Sequence, residues 1–140
     1  MTMQSVRRKL SKADFRKHAE FRRWVRKFLA NSEANAKNLG LAGSQYTLLL
    51  AVKGAAEDTA PNIAALADQL LVESHSVVEM VDRCEKIGLL ERFRQGDDQR
   101  LVFVRLTELG HEMVEKVATK NREEIMEALP TLLEFLRGLV

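Results

Sequence analysis

The sequence of 140 residues predicts a mainly α-helical fold with one small β-hairpin, organised as a single domain. Apolar residues recur at intervals of three and four over most of the chain, which places them on one face of a helix. Between residues 89 and 106 this spacing gives way to two short apolar runs around a polar turn with a glycine. The hydrophobic content of 46% is sufficient for a buried core, so a disordered chain is excluded.

The first predicted helix spans residues 12–37 and is followed by the helix-breaking glycines Gly40 and Gly43. Its apolar stripe consists of Phe15, Phe21, Val25, Phe28 and Leu29. Ser44 is predicted to cap a second helix over residues 45–56, because a serine hydroxyl can accept from a free backbone N–H in the first turn. This helix is expected to bury Leu48, Leu49 and Val52.

Two further helices are predicted close together. Asn62 can cap a short helix over residues 63–70, and a tight connection leads to a fourth helix over residues 74–87. Gly88 is expected to end that helix as a C-cap residue. The residues predicted to be buried on the fourth helix are Val77, Val81 and Cys84.

The hairpin and the C-terminal helices complete the predicted order. Residues 89–93 and 101–106 form the two strands, and the charged segment 94–100 forms the tip between them. Thr107 then caps a long helix that reaches about residue 129. Pro130 is predicted to open a last short helix through Leu136, because proline is favoured at the first helical position.

Charge and cysteine content bound the possible compartments and partners. The net charge is +2, but residues 1–28 carry ten basic and two acidic residues, so this segment is either a solvated helix face or lies near phosphates. A single cysteine rules out an intramolecular disulfide and fits a reducing compartment. No apolar run approaches the roughly 20 residues of a membrane span, and no signal-peptide pattern is present, so a cytoplasmic location is expected.

The order of elements suggests DNA binding. Two helices joined by a three- to four-residue turn form a helix-turn-helix, and a hairpin directly after them forms a wing. A helix fits the major groove of DNA, while an arginine at a hairpin tip can enter the adjoining minor groove. Helix-turn-helix pairs also occur in proteins that never touch DNA, so the individual residues must decide whether this one binds DNA.

Those residues resemble a known family. The chain resembles the pattern LAxxL…V…LVDRLExxGLVER…DxR…VxLTxxG of the multiple-antibiotic-resistance regulator (MarR) family without a gap over residues 62–110. The matching residues are Leu66-Ala67-Asp68-Gln69-Leu70, Val77, the run from Val81 to Arg92, Asp98-Gln99-Arg100, and the run from Val104 to Gly110. Gly40-Leu41 with Gln45 is similar to the start of the family's second helix. The resemblance covers about three-quarters of the chain.

The resemblance implies a homodimeric, ligand-responsive repressor that reads a pseudo-palindromic DNA operator. Residues 12–37 and 107–140 would be dimerisation helices, and residues 44–106 the winged DNA-binding lobe. Apolar side chains in these helices would lack cover in one protomer, and either a partner or packing within the monomer could bury them. On the C-terminal side they are Leu129, Leu132, Leu133, Phe135, Leu136, Leu139 and Val140.

The resemblance places base-reading residues in the first turns of the fourth helix. Ser74, His75 and Ser76 can donate to or accept from base edges, and Glu79 could accept from cytosine N4. The alternatives are that Ser74 only caps the helix and that Glu79 is only solvated. Glu79 departs from the basic or neutral residue common there, which excludes a strong phosphate role for it. Arg83 lies three turns along the helix and is expected to serve phosphate or structure.

The wing carries the Asp-x-Arg motif of the family in Asp98 and Arg100. Arg100 could reach DNA, or Asp98 could brace the hairpin through a local ion pair with it. Arg94 and Gln95 stand nearer the tip and are further candidates for DNA contact. A winged helix that binds only protein, the alternative function, has no need of arginines flanking an exposed turn.

The resemblance also implies an effector pocket. In the family such pockets commonly take aromatic carboxylates, and His18, Arg22, Trp24 and Tyr46 could line one here, although Trp24 and Tyr46 could equally be ordinary packing residues. No cofactor or metal site is predicted, because the three histidines lie on separate helices without ligand spacing. The sequence has no phosphate loop or nucleophile motif, so an enzyme is not expected. Cys84 is expected to be an inert core thiol.

Overall fold

The computed structural model describes residues 9–55 and 58–138, and this part of the chain forms five helices and one two-stranded sheet. The elements in chain order are α1 (Lys12–Asn38), α2 (Gly43–Lys53), α3 (Ile63–Leu70), α4 (Ser74–Lys86), β1 (Leu90–Phe93), β2 (Phe103–Leu106) and α5 (Glu108–Gly138). The mainly α-helical fold with a small hairpin is therefore confirmed.

The first two helices begin with different caps. Ser11 and Asp14 form a reciprocal capping box at the start of α1, in which each side chain accepts from the other residue's backbone N–H. The prediction that Ser44 caps the second helix is wrong. Ala42 is the N-cap of α2, and its N–H donates to Oε1 of Gln45 at 2.8 Å, so Ser44 lies within the first turn. The helix also ends at Lys53, before the predicted end at residue 56, which lies outside the described residues.

The helix-turn-helix consists of α3 and α4. Oδ1 of Asn62 accepts from the N–H of Ala65 at 2.8 Å and caps α3, as the sequence predicts. Leu71 ends α3 in the left-handed region at φ 57° and is 90% exposed, so the turn projects an apolar side chain into solvent. Gly88 follows α4 at φ +76°, a conformation that glycine adopts without steric cost.

The hairpin is antiparallel, with Leu90 opposite Leu106 and Phe93 opposite Phe103. Its second strand begins at Phe103 and not at the predicted residue 101. The backbone before it pairs elsewhere, because the carbonyl of Val102 accepts from the N–H of Ile63 at 3.1 Å. The segment ahead of α3 thus joins the edge of the sheet and ties the wing to the helix-turn-helix.

The C-terminal helix is continuous. Thr107 caps it as predicted, since its Oγ1 accepts from the N–H of Gly110 at 3.1 Å and donates to the carbonyl of Gly88. The prediction that Pro130 opens a separate helix is wrong, because Pro130 lies inside α5. A proline removes one helical hydrogen bond. Contacts with α1 on either side of it, from Asn121 and Phe135, hold the two halves in line.

The hydrophobic core lies between α2, α3, α4, the hairpin and the adjoining ends of α1 and α5. Its fully buried members include Leu48, Leu49, Leu66, Val77, Val81, Cys84, Leu90, Val104, Val114 and Val117. Asn121 is the buried polar residue beside this core. Its Nδ2 donates to Oγ of Ser32 at 2.9 Å, and its Oδ1 accepts from Nδ2 of Asn35 at 2.9 Å, so α1 and α5 are joined by a satisfied polar network.

The outer parts of α1 and α5 form a pair of long arms. Phe21 stacks on Phe135 with ring centroids 6.0 Å apart, so packing within the monomer covers part of the apolar stripe. Phe15, Leu29, Leu133 and Leu136 nevertheless remain exposed. Leu139 and Val140 lie outside the described residues, as do the first eight residues of the basic segment. Within the described part of the chain, no helix is both long enough and apolar enough to cross a membrane.

Candidate nucleic-acid interface

The fourth helix presents a polar face to solvent. Its opposite side is fixed in the core by Val77, Val81 and Cys84. His75, Glu79 and Arg83 follow one another at intervals of four residues and are all exposed, so they share one helix face. Ser74 is exposed at the first helical position, where Glu73 and not Ser74 is the N-cap, and Ser76 is half-buried.

Arg92 fixes the hairpin against this helix. The N–H of Arg92 donates to Oε2 of Glu85 at 2.9 Å, and its guanidinium donates to Oε1 of Glu85 at 3.1 Å and to Asp82. The backbone N–H of Arg92, followed by its guanidinium, lowers the pKa of the Glu85 carboxyl below its usual range. The position of the wing is therefore set by a charged connection to α4.

This connection was not predicted from the sequence. Asp82 and Glu85 are three residues apart and so share a face of α4, and Arg92 follows just beyond the turn at Gly88. An acidic pair at this spacing before a glycine turn and a strand arginine is the signal that could have predicted it.

The base of the wing is held by a second arginine. Nε of Arg105 donates to Oε1 of Glu91 at 2.6 Å across the strand pair, and the guanidinium lies 4.4 Å from the ring centre of Phe93. Phe93 in turn packs on Phe103, with ring centroids 5.7 Å apart. The hairpin is thus stiffened by side chains before its tip begins.

At the tip, Asp98 and Arg100 form a two-point ion pair. Nε and Nη2 of Arg100 donate to the two carboxylate oxygens of Asp98 at 3.0 and 3.1 Å, and this guanidinium, with the N–H of Arg100, lowers the pKa of Asp98. The Arg100 side chain is still 91% exposed. Arg94 donates to the carbonyl of Gln99, and Gln95 is exposed. Both tip arginines therefore stabilise the wing from exposed positions.

Cys84 has the environment of an unreactive thiol. It is fully buried, and desolvation raises its pKa to about 11. At neutral pH the side chain is protonated and packs as a small apolar group.

The four residues predicted to line an effector pocket lie in different environments. His18 and Arg22 are exposed on α1, whereas Tyr46 is buried in the core of the lobe. Trp24 lines a cleft between α1 and α5 that has none of the other three among its lining residues. In the described ranges, 9–55 and 58–138, no cluster of three or more His, Cys, Asp or Glu side chains is arranged to hold a metal ion.

Comparison with known proteins gives relatives that match part of the chain. No protein-family model matches it. The chain is 33% identical over 76 residues to an uncharacterised HTH-type transcriptional regulator, YhbI, of Bacillus subtilis, and 31% identical over 81 residues to the HTH-type transcriptional regulator FarR of Neisseria gonorrhoeae. These alignments cover 54% and 58% of this chain, and 47% and 53% of the relatives, so the chain spans about half the length of each. An organic hydroperoxide resistance transcriptional regulator of Bacillus subtilis is 29% identical over 111 residues, covering 70% of this chain and 74% of the relative.

Solved structures resemble the chain over nearly its whole length. A MarR family protein from Bacillus stearothermophilus superposes with a TM-score of 0.71 at 20% identity, covering 94% of both chains. AbsC, a MarR family transcriptional regulator from Streptomyces coelicolor, gives 0.69 at 23% identity, covering 94% of this chain and 99% of its own. A MepR mutant of S. aureus, solved bound to an oligodeoxyribonucleotide, gives 0.68 at 18% identity, covering 88% and 97%. The resemblance predicted from the sequence is confirmed at the level of architecture: the chain has the winged helix fold of the MarR family regulators.

Proposed function

We propose that this chain is a transcriptional regulator that binds double-stranded DNA as a homodimer. One observation carries the proposal. The exposed polar face of α4 is joined to a hairpin with exposed arginines through the contacts of Arg92 with Asp82 and Glu85. A helix and a wing held in a fixed relation can bind adjoining grooves of one duplex.

The fourth helix would enter the major groove with its first two turns. Ser74 and His75 are exposed and can hydrogen-bond to base edges, and Glu79 can accept from cytosine N4. Ser76 is half-buried, so it would reach a base only from the edge of the contact. Val78, for which the sequence predicted no role, is 38% exposed and can pack against a thymine methyl group.

The wing would contact the backbone or the minor groove. Arg100 uses Nε and Nη2 on Asp98, and a guanidinium has five N–H donors, so donors remain for phosphate. Arg94 and Gln95 are exposed and would add to the same contact. Arg83, exposed on α4, would contact phosphate from the helix side. Asp97 and Asp98 balance the charges of Arg94 and Arg100, so the tip has no net charge. Its arginines would therefore affect DNA affinity only through direct contacts.

The finer parts of the proposal rest on the resemblance. Two such lobes in one dimer would read a pseudo-palindromic operator, and a small-molecule effector would release a repressor by favouring a spacing of the lobes that does not fit it. That an aromatic acid is the effector remains a prediction, although His18, Arg22, Trp24 and Tyr46 do not line one cleft in a single protomer. A thermal-shift panel of salicylate and related acids would test it. The solved MepR–oligodeoxyribonucleotide complex supports DNA as the partner.

The experiment distinguishes base recognition by α4 from sequence-independent contact by the wing. A preferred duplex is first selected from a random pool by the full chain, and single variants are then titrated with salt on that duplex and on a scrambled one. His75→Ala should cost about 1–3 kcal/mol on the selected duplex and little on the scrambled one, because it removes a base contact. Ser76→Ala should cost less within that range. Arg94→Ala should weaken both, and lower the salt slope by roughly one unit for each phosphate interaction that it removes.

Both tip arginines also brace the hairpin, and Arg100 allows a second variant because its partner, Asp98, is a side chain, whereas Arg94 donates to the backbone carbonyl of Gln99. If bracing dominates, Asp98→Ala should weaken binding as Arg100→Ala does, although removal of an acid would otherwise strengthen it. The roles would be reversed if wing variants weakened binding only to the selected duplex and helix variants weakened binding to both duplexes equally. The wing would then read the bases, and α4 would make the sequence-independent contacts. Selection that enriches no duplex would refute DNA recognition itself.

A further inference from the structure

A cleft of about 400 Å³ lies in the lobe, where the end of α2, the segment before α3, strand β2 and the first turn of α5 meet. It is separate from the exposed apolar side chains of the arms, because Leu133 and Leu136 come more than twenty residues after His111, the residue that α5 contributes to the cleft. Within the described part of the chain, its lining includes Lys53, Arg105 and His111 and no carboxylate. The ionisable side chains of this lining are therefore all basic.

Lys53 contacts a nitrogen base in this cleft. Its Nζ lies 2.9 Å from Nδ1 of His111. An ammonium group has donors only, so Nδ1 accepts, and the imidazole in this contact is neutral. Other described lysines bind oxygen, namely Lys17 at the carbonyl of Gly138, Lys116 at Glu112 and Lys120 at Glu123. An imidazole can take up a proton near neutral pH, whereas a carboxylate or a carbonyl does not.

An amine within hydrogen-bond distance of a base is the arrangement of an activated nucleophile. Lys53 is exposed, so a reagent can reach it, and the neighbouring Val52 and Leu106 give the cleft an apolar wall for an acyl group. Arg105 binds Glu91 through Nε, and among the described residues its Nη nitrogens make no hydrogen bond. These nitrogens are available to a phosphate group.

We propose that Lys53 is a site of acylation by acyl phosphates, with His111 as the base. The ammonium first loses one proton to water, and the amine then attacks the carbonyl carbon of the acyl phosphate. A C–N bond forms, the C–O bond to the phosphate breaks, and the phosphate leaves with the electron pair. Nζ gives its second proton to Nδ1 of His111, which passes it to water. The product is a neutral amide. The inference goes beyond the proposed function, and the reaction does not require DNA.

The chain contains a matched control for Lys53 in Lys86. Lys53 is the last residue of α2 and Lys86 is the last residue of α4, so the helix dipole favours the charged form of both amines. Both side chains are exposed, and within the described residues Lys86 has no hydrogen bond or ion pair. A difference in reactivity between the two lysines therefore reports the effect of the cleft.

The test measures acylation at each lysine of the full-length protein. The protein is incubated at pH 8 with acetyl phosphate and then unfolded, and the remaining amines are capped with deuterated acetic anhydride. Mass spectrometry gives the ratio of light to heavy acetyl groups at each lysine, and hence its rate. We expect Lys53 to react about fivefold to tenfold faster than Lys86 in the native protein, and the two lysines to react equally in urea.

His111→Gln removes the base and keeps an acceptor, because a glutamine carbonyl can accept from Nζ but does not take up its proton. We expect this variant to lower the rate at Lys53 to about that of Lys86 and to leave Lys86 unchanged. Far-UV circular dichroism confirms that the variant is folded.

A neutral acyl donor, phenyl acetate, separates the base from the phosphate contact. Lys53 should remain faster than Lys86 with this donor, since His111 acts on either one. Arg105→Gln should lower the rate at Lys53 with acetyl phosphate only.

Three results would overturn the inference. Equal rates at Lys53 and Lys86 in the native protein would show that the cleft does not activate the amine. An unchanged rate at Lys53 in His111→Gln would show that His111 is not the base. A preference for Lys53 that disappears with phenyl acetate would show that the cleft only attracts the phosphate group.

Discussion

Gly110 is the position where the backbone packs most tightly. A Cβ atom placed on it would lie 1.9 Å from the carbonyl oxygen of Leu89, so the start of α5 rests directly on the backbone that leads into β1. Backbone cannot move aside as a flexible side chain can. We expect Gly110→Ala to lower the free energy of unfolding by about 1–3 kcal/mol, despite the better helix propensity of alanine. Urea denaturation followed by circular dichroism measures this change in the free energy of unfolding.

Gly138, at the other end of the same helix, is the control. A Cβ there would meet only the flexible end of Lys17, at 3.4 Å. Gly138→Ala should therefore be close to neutral. Equal stability of wild type and Gly110→Ala would mean that the helix can shift away from Leu89 at no cost, against the close contact seen here.

Cys84 allows a chemical test of burial at a single residue. Its pKa is raised to about 11 by desolvation, so very little thiolate exists at pH 8. We expect a disulfide reagent to modify the native thiol at least about a hundredfold more slowly than the thiol in urea, where the pKa returns to about 8.5. Any release from DNA by peroxide should be unchanged in Cys84→Ser. Rapid modification of the native protein at pH 8 would contradict an inert core thiol.

At the scale of elements, the wing and α4 are connected by a group that titrates. The contacts of Arg92 lower the pKa of Glu85 in the folded protein below its unfolded value of about 4.3. The stabilisation from Glu85 is therefore fully present above that unfolded value and is lost as the pH falls through the lower folded value. We expect Glu85→Gln to reduce the thermal stability at pH 7 and the difference from wild type to shrink toward pH 3.

Glu112→Gln is a matched control for this pH effect. Glu112 pairs with Lys116 on the exposed face of α5, an arrangement typical of weak surface pairs, and its loss should change stability little at either pH. A melting-temperature difference for Glu85→Gln that stays constant from pH 7 to pH 3 would show that the connection does not depend on the charge of Glu85.

The elements that the sequence predicted well are those with local signals. Asn62 as a cap and Gly88 as a helix end act within a few residues, so their effect is visible in the chain itself. The prediction for Ser44 fails because the helix begins before it, at Gly43, where the N–H of Ala42 donates to Oε1 of Gln45. The continuity of α5 through Pro130 depends on α1, which is more than ninety residues away, and no local signal carries that information.

The part of the candidate site that the sequence predicted also depends on local signals. The exposed face at His75, Glu79 and Arg83 follows from helical spacing alone. Asp98 and Arg100 are only two residues apart, so their ion pair also depends on a local signal. The sequence leaves this ion pair open as one of two alternatives for them. The resemblance implied a pocket at Trp24, but the second wall of the cleft could not be predicted, because it comes from a helix about a hundred residues later.

For the whole molecule, the arms formed by α1 and α5 are the part where several large apolar side chains stay exposed in one protomer. Near the lobe they are joined by buried Asn121, and further out by the stacked pair Phe21 and Phe135. Apart from the side chains in these contacts, several large apolar side chains on both helices face solvent. They are Phe15, Leu29, Met126, Leu133 and Leu136, from 37% to 60% exposed. Such a surface is typical of an interface, and a second copy of the chain would cover it symmetrically.

The homodimer can be tested with one variant that spares the fold. Leu133 is 45% exposed, so Leu133→Glu should scarcely alter a monomer, yet in a dimer it would bury a charge against apolar side chains. We expect wild type to scatter light as a particle of about twice 15.9 kDa at micromolar concentration, and Leu133→Glu to approach the monomer mass. Leu71→Glu, on the lobe at 90% exposure, should remain dimeric. A wild-type protein of monomer mass would refute the dimer, and equal dissociation of both variants would place the interface elsewhere, because only Leu133 lies on the arms.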